Sequence, residues 1–201
     1  MTLAPEDLIR RKVKAELRKR MRALRKTAPA ASCLERSRAI AHRIEAVPGF
    51  ERARRVALFW PIEARHEVDL RPLDTVLRAR GAAVFYPAID PESGKMTFRA
   101  GAPGTLVEAG YGFAEPPSDA PEATALDVIV VPALAVDGRG HRLGYGAGYY
   151  DRTIPRFAPP ARTIVVAYDY QLIVEVPVTE GDVPCDVVVT DERTIVVAAG
   201  A

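Results

Sequence analysis

The segment HRLGYGAGYYDR, which runs from His141 to Arg152, combines residue types that suit the binding of phosphate groups. Glycine lets the backbone adopt positive φ and approach a ligand closely, and successive N–H groups at a helix entry form an anion-binding nest. Arg142 adds a fixed positive charge, and Asp151 can bind a divalent cation carried with the phosphates. The glycines stand two apart, at Gly144, Gly146 and Gly148. The segment is therefore predicted to bind phosphate.

The spacing of these glycines differs from that of the common phosphate loops. It lacks the Lys-Ser/Thr ending of a P-loop, and G-x-G-x-G is not the dinucleotide pattern G-x-G-x-x-G. A glycine-rich hairpin or helix entry with exposed tyrosines therefore stays open as the alternative. No Cys or second His is spaced near His66 or His141 for metal binding or for a catalytic triad.

The sequence around this segment predicts an α/β fold. Several apolar runs are continuous rather than alternating, which is typical of strands buried on both faces. They are Arg55–Trp60, Ala82–Pro87, Leu126–Leu134, Arg162–Tyr168 and Asp186–Thr190. Helical patterns cover Leu34–Ala46, with Ser32 as its cap, Leu70–Arg80 and Ala147–Phe157, and Met96–Arg99 is a predicted edge strand. We expect a three-layer sandwich with a largely parallel, Rossmann-like sheet flanked by helices.

The predicted strands place the candidate residues at one edge of the sheet. The glycine segment follows the Leu126–Leu134 strand and precedes a helix predicted to begin near Gly148. Glu67 follows the Arg55–Trp60 strand. Ligands of open α/β sheets bind in the crevice outside the carboxyl ends of the strands, where both groups are expected. The Pro- and Glu-rich segment Gly112–Ala125 is predicted to be an exposed connector.

A basic amphipathic helix is predicted at the N-terminus, where ten basic residues lie between Arg10 and Lys26. Its apolar stripe consists of Leu8, Val13, Leu17, Met21 and Leu24. Lys14 and Arg18 are four residues apart, so both point from one helical face and can clamp a triphosphate. A solvated basic face, or one that binds nucleic acid, is the alternative.

Composition limits the classes of protein. The 201 residues suffice for a full hydrophobic core, and we expect one domain over 1–201, with helices in 1–47 and an α/β core in 52–201. The net charge of +2 gives no whole-protein basic field of the nucleic-acid-binding kind. Cys33 and Cys185 lie far apart, which suits a reduced compartment. No signal peptide or transmembrane run is evident, so a cytoplasmic protein without nucleic-acid or membrane partners is expected.

The segment RLGYGAGYYDR resembles the signature R-L-G-x-G-x-G-[YF]-Y-D of the 5-formyltetrahydrofolate cyclo-ligase family, also called methenyltetrahydrofolate synthetase. Three further blocks resemble the family in the same order, namely KAELR, FWPIEARHEVDLRPL and AYDYQLIVEVPVTEGDVPCDVVVT. The resemblance implies an ATP- and Mg²⁺-dependent enzyme that cyclises 5-formyltetrahydrofolate to 5,10-methenyltetrahydrofolate. ADP and phosphate would be released through a phosphorylated formyl intermediate.

The resemblance also implies roles for single residues. Arg142 and Asp151 are expected to be catalytic, and Asp151 with Asp182 to bind Mg²⁺. ATP is expected to contact Lys14, Arg18, Arg142, Leu143, Gly144, Tyr145, Gly146, Ala147, Gly148, Tyr149 and Tyr150. The folate substrate is expected to contact Glu67, Tyr145, Gly146, Ala147, Gly148 and Tyr149. These two small molecules are the expected partners, and the chain is expected to be a monomer.

One position departs from the family pattern. Many members carry a basic residue just after the proline that ends the second strand, where this chain has Ala88, and Arg99 is a candidate replacement. The alternative function is therefore a paralogue with the same ATP loop that acts on another substrate or only binds folate. A nucleic-acid-binding module built on the cationic helix is a second alternative, although it leaves the glycine segment unexplained. Asp182, within EGDVP, could also be a turn residue.

Overall fold

The computed structural model describes residues 5–90, 92–108, 110 and 112–198. The α-helices are α1 (Pro5–Thr27), α2 (Ala30–Glu45), α3 (Arg71–Ala79) and α4 (Tyr149–Thr153). The strands are β1 (Arg55–Ala57), β2 (Ala83–Ile89), β3 (Met96–Ala100), β4 (Val107–Glu108), β5 (Ala114–Glu115), β6 (Val128–Pro132), β7 (Ala135–Val136), β8 (Arg142–Leu143), β9 (Arg162–Val166), β10 (Val187–Val189) and β11 (Thr194–Val196). Short 3₁₀ turns cover Phe50–Arg52, Glu63–Arg65, Pro103–Thr105, Ile154–Arg156 and Asp169–Gln171.

The central sheet is largely parallel, as the continuous apolar runs predict. Its order is β11-β10-β9-β6-β1-β2-β3. The pairs β1–β2, β1–β6, β6–β9 and β9–β10 are parallel, whereas β3 and β11 run antiparallel at the two edges. The edge position of β3 was predicted. The α/β fold with a mostly parallel sheet between helices is thereby confirmed.

Both faces of the sheet are buried because side chains alternate between two apolar layers. Val56 and Val130 face the layer that contains α2 and α3, while Ile129 and Val131 face the layer beneath Phe157. All four side chains are fully buried. Burial on both sides explains why these strands lack a polar alternation in the sequence. It also leaves the carboxyl ends of the strands as the place where polar residues can gather.

The buried face of α1 differs from the predicted apolar stripe. Leu8, Val13 and Leu24 are 50%, 42% and 43% exposed, so this part of the stripe faces solvent, whereas Leu17 and Met21 pack against the body of the protein. The cations Lys14 and Arg25 are instead 6% and 3% exposed. Met21 lies on this face with Lys14 and Arg25, and it packs against the ribbon formed by β7 and β8. The periodicity was correct, but polar contacts rather than apolar area decide which face is buried.

The bounds of two predicted helices are corrected. Helix α2 begins at Ala30 rather than Leu34, because Pro29 with ψ of 136° provides the extended N-cap and Ser32 lies inside the first turn. The predicted helix Ala147–Phe157 is only the five-residue α4, followed by a 3₁₀ turn. It begins after Gly148, whose φ is +67°. Within the described ranges, no helix combines the length and apolar character needed to cross a bilayer.

Two predicted loops contain strands. The glycine segment contains β8, which pairs with β7, so Arg142 is held by a hairpin rather than by a free loop. Gly140 closes this hairpin with φ of +82°, and a Cβ there would lie 2.2 Å from the Cys185 carbonyl oxygen. The segment Gly112–Ala125 is not simply an exposed connector. It contains β5, and the 4% exposed Glu115 accepts a hydrogen bond from the backbone N–H of Ile89 at 2.8 Å.

Candidate active site

A cavity of about 650 Å³ opens at the carboxyl edge of the parallel strands. Pro87 at β2, Pro132 at the end of β6 and Met96 at the start of the antiparallel β3 contribute to its lining. Phe59 and Trp60, which follow β1, add aromatic surface. The cavity therefore lies where the topology predicts a ligand site.

Each residue with a predicted site role lines this cavity. They are Lys14, Arg18, Glu67, Arg142, Leu143, Gly144, Tyr145, Gly146, Ala147, Gly148, Tyr149, Tyr150, Asp151 and Asp182. Helix α1 supplies the first two, the segment after β1 supplies Glu67, and the loop before β10 supplies Asp182. The structure thus gathers residues from four separate parts of the sequence, whereas their contacts with ligands stay predictions.

The glycine loop carries unused hydrogen-bond donors. None of the backbone N–H groups of 144–148 donates to an acceptor among the residues that the structure describes. Arg18 fixes the loop from α1, because its Nε donates to the Gly144 carbonyl oxygen at 2.9 Å. Burial and the nearby charge of Arg22 lower the pKa of the Arg18 guanidinium. A row of N–H groups beside cations of this kind favours an anionic ligand.

Helix α4 is shorter than the sequence predicts, so it adds little to the electrostatics of the site. With five residues it forms little more than one turn, so its dipole is small and would add little attraction for an anion. The ring of Tyr149 lies 5.5 Å from the Arg152 guanidinium carbon. The Tyr150 ring lies 6.2 Å from Phe98, and its buried hydroxyl has no hydrogen-bond partner among the described residues.

Lys14 and Asp182 form an ion pair across the cavity wall. The Lys14 ammonium donates to Asp182 Oδ2, and it also donates to Thr179 Oγ1 at 2.9 Å. Burial raises the pKa of Asp182, but the hydrogen bonds from Lys14 and the Thr179 backbone, with the Lys14 charge, hold it below its ordinary value. The carboxylate is therefore ionised at neutral pH, and the pair ties α1 to the loop before β10.

Arg142 is held rigidly by three neighbours. Its Nη2 donates to Asp151 Oδ1 at 2.7 Å, and its Nη1 donates to the Val183 carbonyl oxygen at 2.5 Å. The same Nη1 lies 3.7 Å from Cys185 Sγ. Asp151 Oδ1 also accepts from the Val183 N–H at 3.1 Å, which brings Asp151 to the segment that carries Asp182. A buried guanidinium fixed in this way presents a preorganised positive charge.

Glu67 lies in a polar network on the other side of the glycine loop. Its Oε2 accepts from the Ile62 N–H at 3.0 Å, and its Oε1 accepts from the Tyr145 hydroxyl at 2.5 Å. Arg25 donates to the Tyr145 oxygen and approaches Glu67 Oε1 at 3.7 Å. Burial and the Glu67 charge raise the pKa of Tyr145 to about 12. The hydroxyl therefore stays protonated and donates to the carboxylate.

The sequence profile of the 5-formyltetrahydrofolate cyclo-ligase family matches residues 10–191. The chain belongs to the 5-formyltetrahydrofolate cyclo-ligase family. It is 42% identical over 131 residues to 5-formyltetrahydrofolate cyclo-ligase of Mycolicibacterium smegmatis, covering 62% of this chain and 67% of that protein. The Escherichia coli protein of the same name is 33% identical over 159 residues, covering 76% and 86%. The NMR structure of Aquifex aeolicus 5,10-methenyltetrahydrofolate synthetase gives a TM-score of 0.80 at 29% identity, over 94% of this chain and 95% of that chain.

Several residues of this cyclo-ligase-family site were not predicted. Arg11, Arg65 and Thr179 also line the cavity. Arg65 lies 5.0 Å from the Tyr145 ring centroid, and Arg25 contacts the same tyrosine from behind. Arg25 follows Lys14 by eleven residues, which places both on one helical face, and this spacing was the available signal.

The donor set of the cyclo-ligase-family site is compatible with Mg²⁺. The described residues contain no cluster of three or more His, Cys, Asp or Glu side chains for a metal. Mg²⁺ commonly takes one or two carboxylates together with phosphate oxygens and waters. The Asp151 and Asp182 side chains retain 27% and 25% exposure beside the glycine loop. Their number and type fit an ion carried in by a nucleotide.

Proposed function

We propose that the chain catalyses the ATP-dependent cyclisation of 5-formyltetrahydrofolate to 5,10-methenyltetrahydrofolate, with release of ADP and phosphate. The observation that carries this proposal is a single cavity in which the cationic glycine loop and Glu67 face a shared volume of about 650 Å³. Membership in the cyclo-ligase family supports the reaction, and the two halves of the cavity suit its two substrates.

The ATP phosphates are proposed to bind beside α1. Lys14 and Arg18 bring two cations to the loop, and the N–H groups of 144–148 supply donors at its surface. Lys14 is paired with Asp182 in this structure, so a phosphate would share or replace the carboxylate as its partner. Cavity-lining cations outnumber anions, with Arg11, Lys14, Arg18, Arg65 and Arg142 against Glu67, Asp151 and Asp182. This excess of positive charge favours a polyphosphate.

The folate ring system is proposed to bind on the Glu67 side. Phe59, Trp60 and Met96 offer apolar surface to a flat heterocycle. Glu67 is the carboxylate that can accept hydrogen bonds from the N–H groups of a pterin. Tyr145 belongs to the 144–148 loop and its hydroxyl donates to Glu67, so the formyl group and the γ-phosphate would meet beside it.

The reaction needs positioning and charge neutralisation rather than a protein nucleophile. The formyl oxygen attacks the γ-phosphorus, the bond to the bridging oxygen breaks, and ADP leaves. The N10 amine then attacks the activated formyl carbon and loses its proton, and phosphate departs as the ring closes. Negative charge develops on transferring phosphoryl oxygens, and Arg142, fixed by Asp151 and Val183, faces the cavity to stabilise it.

Mg²⁺ is part of the same proposal. When bound, it would neutralise charge on the phosphates, and Asp151 and Asp182 are the residues that would hold it. Asp182 would then exchange its bond with Lys14 for a bond to the ion, and Lys14 would turn to phosphate. The role of these two aspartates is testable because each can be changed to asparagine with little change in shape.

The paralogue alternative has little support in the cavity. Ala88 is a buried residue of β2 paired with Thr97, and neither Ala88 nor Arg99 lines the cavity. The Ala88 side chain therefore contributes nothing to the lining in this chain. Mixing the purified protein with 5-formyltetrahydrofolate, ATP and Mg²⁺ tests the proposal through the absorbance of methenyltetrahydrofolate. Folate binding without turnover would favour the paralogue.

We further propose that 1–201 act as one domain and as a cytoplasmic monomer. Residues of α1 and of the α/β core line the same cavity, which supports a single functional unit. Both cysteines are buried and free, as suits a reduced compartment. Size-exclusion chromatography with light scattering at assay concentration would test the monomer.

A further inference from the structure

Arg25 is a buried cation that the proposed contacts leave without a role. It lies in the last turn of α1, and its side chain is 4% exposed. Its Nη2 donates to the Tyr145 hydroxyl oxygen, and its guanidinium carbon lies 5.7 Å from the centre of the Tyr145 ring. It does not line the cavity. Any effect of Arg25 on a bound ligand must therefore act through the residues that it contacts, Tyr145 and Glu67.

The buried carboxylate of Glu67 requires a nearby positive charge. Its side chain is only 5% exposed, and a buried carboxylate is costly unless a positive charge accompanies it. Among the described residues, Arg25 is its one ion-pair partner, at 3.7 Å. The pair is bridged by Tyr145, which accepts from Arg25 and donates to Glu67 at 2.5 Å. The three side chains therefore form one unit, which we call the Arg25–Tyr145–Glu67 relay.

The middle of the same helix contacts the opposite half of the cavity. Lys14 and Arg18 lie two to three turns before Arg25, where they contact Asp182 and the Gly144 carbonyl oxygen. One helix face thus presents two cations to the phosphate loop and one to the relay. Changes in the middle and in the last turn of α1 should consequently affect different substrates.

We propose that Arg25 is a positioning residue for the folate substrate, which orients Glu67 and Tyr145 from behind without touching the ligand. This inference depends on the proposed function, because it assigns Arg25 to the folate half of that site. A substrate N–H that bonds Glu67 must share or displace the Tyr145 hydroxyl. Arg25 holds the charge of the carboxylate and the position of the ring while that exchange takes place.

The test compares Arg25→Met with Arg25→Lys, and uses Arg20→Met as the matched control on an exposed position of α1. We expect Arg25→Met to raise the KM for 5-formyltetrahydrofolate at least about tenfold, since a hydrogen-bonded charge is lost. The KM for ATP should stay within about twofold, because Lys14 and Arg18 are distant in the helix. Arg25→Lys keeps the charge and should restore most of the folate affinity, and Arg20→Met should match the wild type.

A double-mutant cycle with Glu67→Gln shows whether Arg25 acts through the carboxylate. If it does, the two substitutions are non-additive, and the double variant binds folate about as weakly as Glu67→Gln alone. Equal rises in both KM values, or additive effects in the cycle, would overturn the inference. Should Arg25→Met fail to fold, Arg25→Lys carries the test, since a selective rise of about threefold in the folate KM is then expected. Absence of turnover in the wild type would instead overturn the proposed function, and the same comparison would proceed with folate Kd values.

Discussion

Asp151→Asn should lower kcat strongly while lowering the thermal stability of the protein only slightly. Asp151 Oδ1 accepts from Arg142 Nη2 at 2.7 Å and from the Val183 N–H at 3.1 Å. An asparagine keeps the shape and an acceptor oxygen but loses the charge. Exchanging a charge-assisted bond for a neutral one costs about 1 kcal/mol, which corresponds to a drop of about 2–4 °C in Tm for a chain of 201 residues.

Turnover should fall much further than stability. The substitution removes a proposed Mg²⁺ ligand and loosens Arg142, so we expect kcat to drop at least about 100-fold. The assay follows the absorbance of methenyltetrahydrofolate at saturating substrates, and a thermal melt of the same sample gives Tm. The folded fraction at the assay temperature then converts each rate to a rate per folded molecule.

Asp127→Asn is the matched control, because Asp127 directly precedes β6 and so lies at the amino ends of the parallel strands, away from the cavity. Asp127 accepts from an arginine, Arg55, at 2.7 Å and from the backbone N–H groups of Arg54 and Arg55. Its side chain is 31% exposed, against 27% for Asp151. We expect a similar loss of Tm with unchanged turnover. The assignment of Asp151 is refuted if its asparagine variant unfolds at a much lower temperature while activity per folded molecule is intact.

Three further outcomes are expected. Lys14→Met should raise the KM for ATP about tenfold or more and leave the folate KM nearly unchanged, as steady-state kinetics would show. Gly140→Ala should lower the unfolding free energy in urea by at least about 2 kcal/mol, because its Cβ would meet the Cys185 carbonyl oxygen at 2.2 Å with φ of +82°. Gly138→Ala, with open space around the added Cβ, should be nearly neutral. Burial raises the pKa of Asp182, but its hydrogen bonds hold the pKa below 3.8, so the ionised carboxylate stabilises the fold above that pH. Thermal melts should show Tm falling as the pH is lowered from about 5 to about 2, because this stabilisation is lost. The fall in Tm over that range should be smaller in Asp182→Asn, which lacks the carboxylate.

Much of the sheet could be predicted because its strands are buried on both faces. Continuous apolar runs such as the one around Val128–Pro132 mark these strands in the sequence. The sequence did not reveal β7 and β8, because two-residue strands leave no periodic pattern. The turn between them is held by Cys185, 45 positions further along the chain, whose N–H donates to the Gly140 carbonyl oxygen at 2.9 Å. Such long-range contacts have no local signal.

The residues that line the cavity were predictable where a rare motif or the family order identified them, and their roles stay predictions. The clustering of Arg142, Asp151 and Glu67 in one cavity follows that expectation. Arg25 was missed because it is one of ten basic residues in a short segment, and composition does not distinguish a buried cation from a solvated one. The apolar stripe of α1 also indicated only part of the buried face, since Met21 is buried but Leu24 is 43% exposed while Arg25 is buried. Polar networks that bury charge override the simple rule that apolar faces turn inward.

In the proposed reaction, one cavity brings the γ-phosphate of ATP to the formyl group of the folate. Its most direct measurement is the absorbance of methenyltetrahydrofolate when the purified chain is mixed with 5-formyltetrahydrofolate, ATP and Mg²⁺, with ADP quantified in the same samples. We predict a steady rise with one ADP formed per methenyltetrahydrofolate, and no rise when ATP is omitted. Absence of the product, or product formation without ADP, would contradict the account.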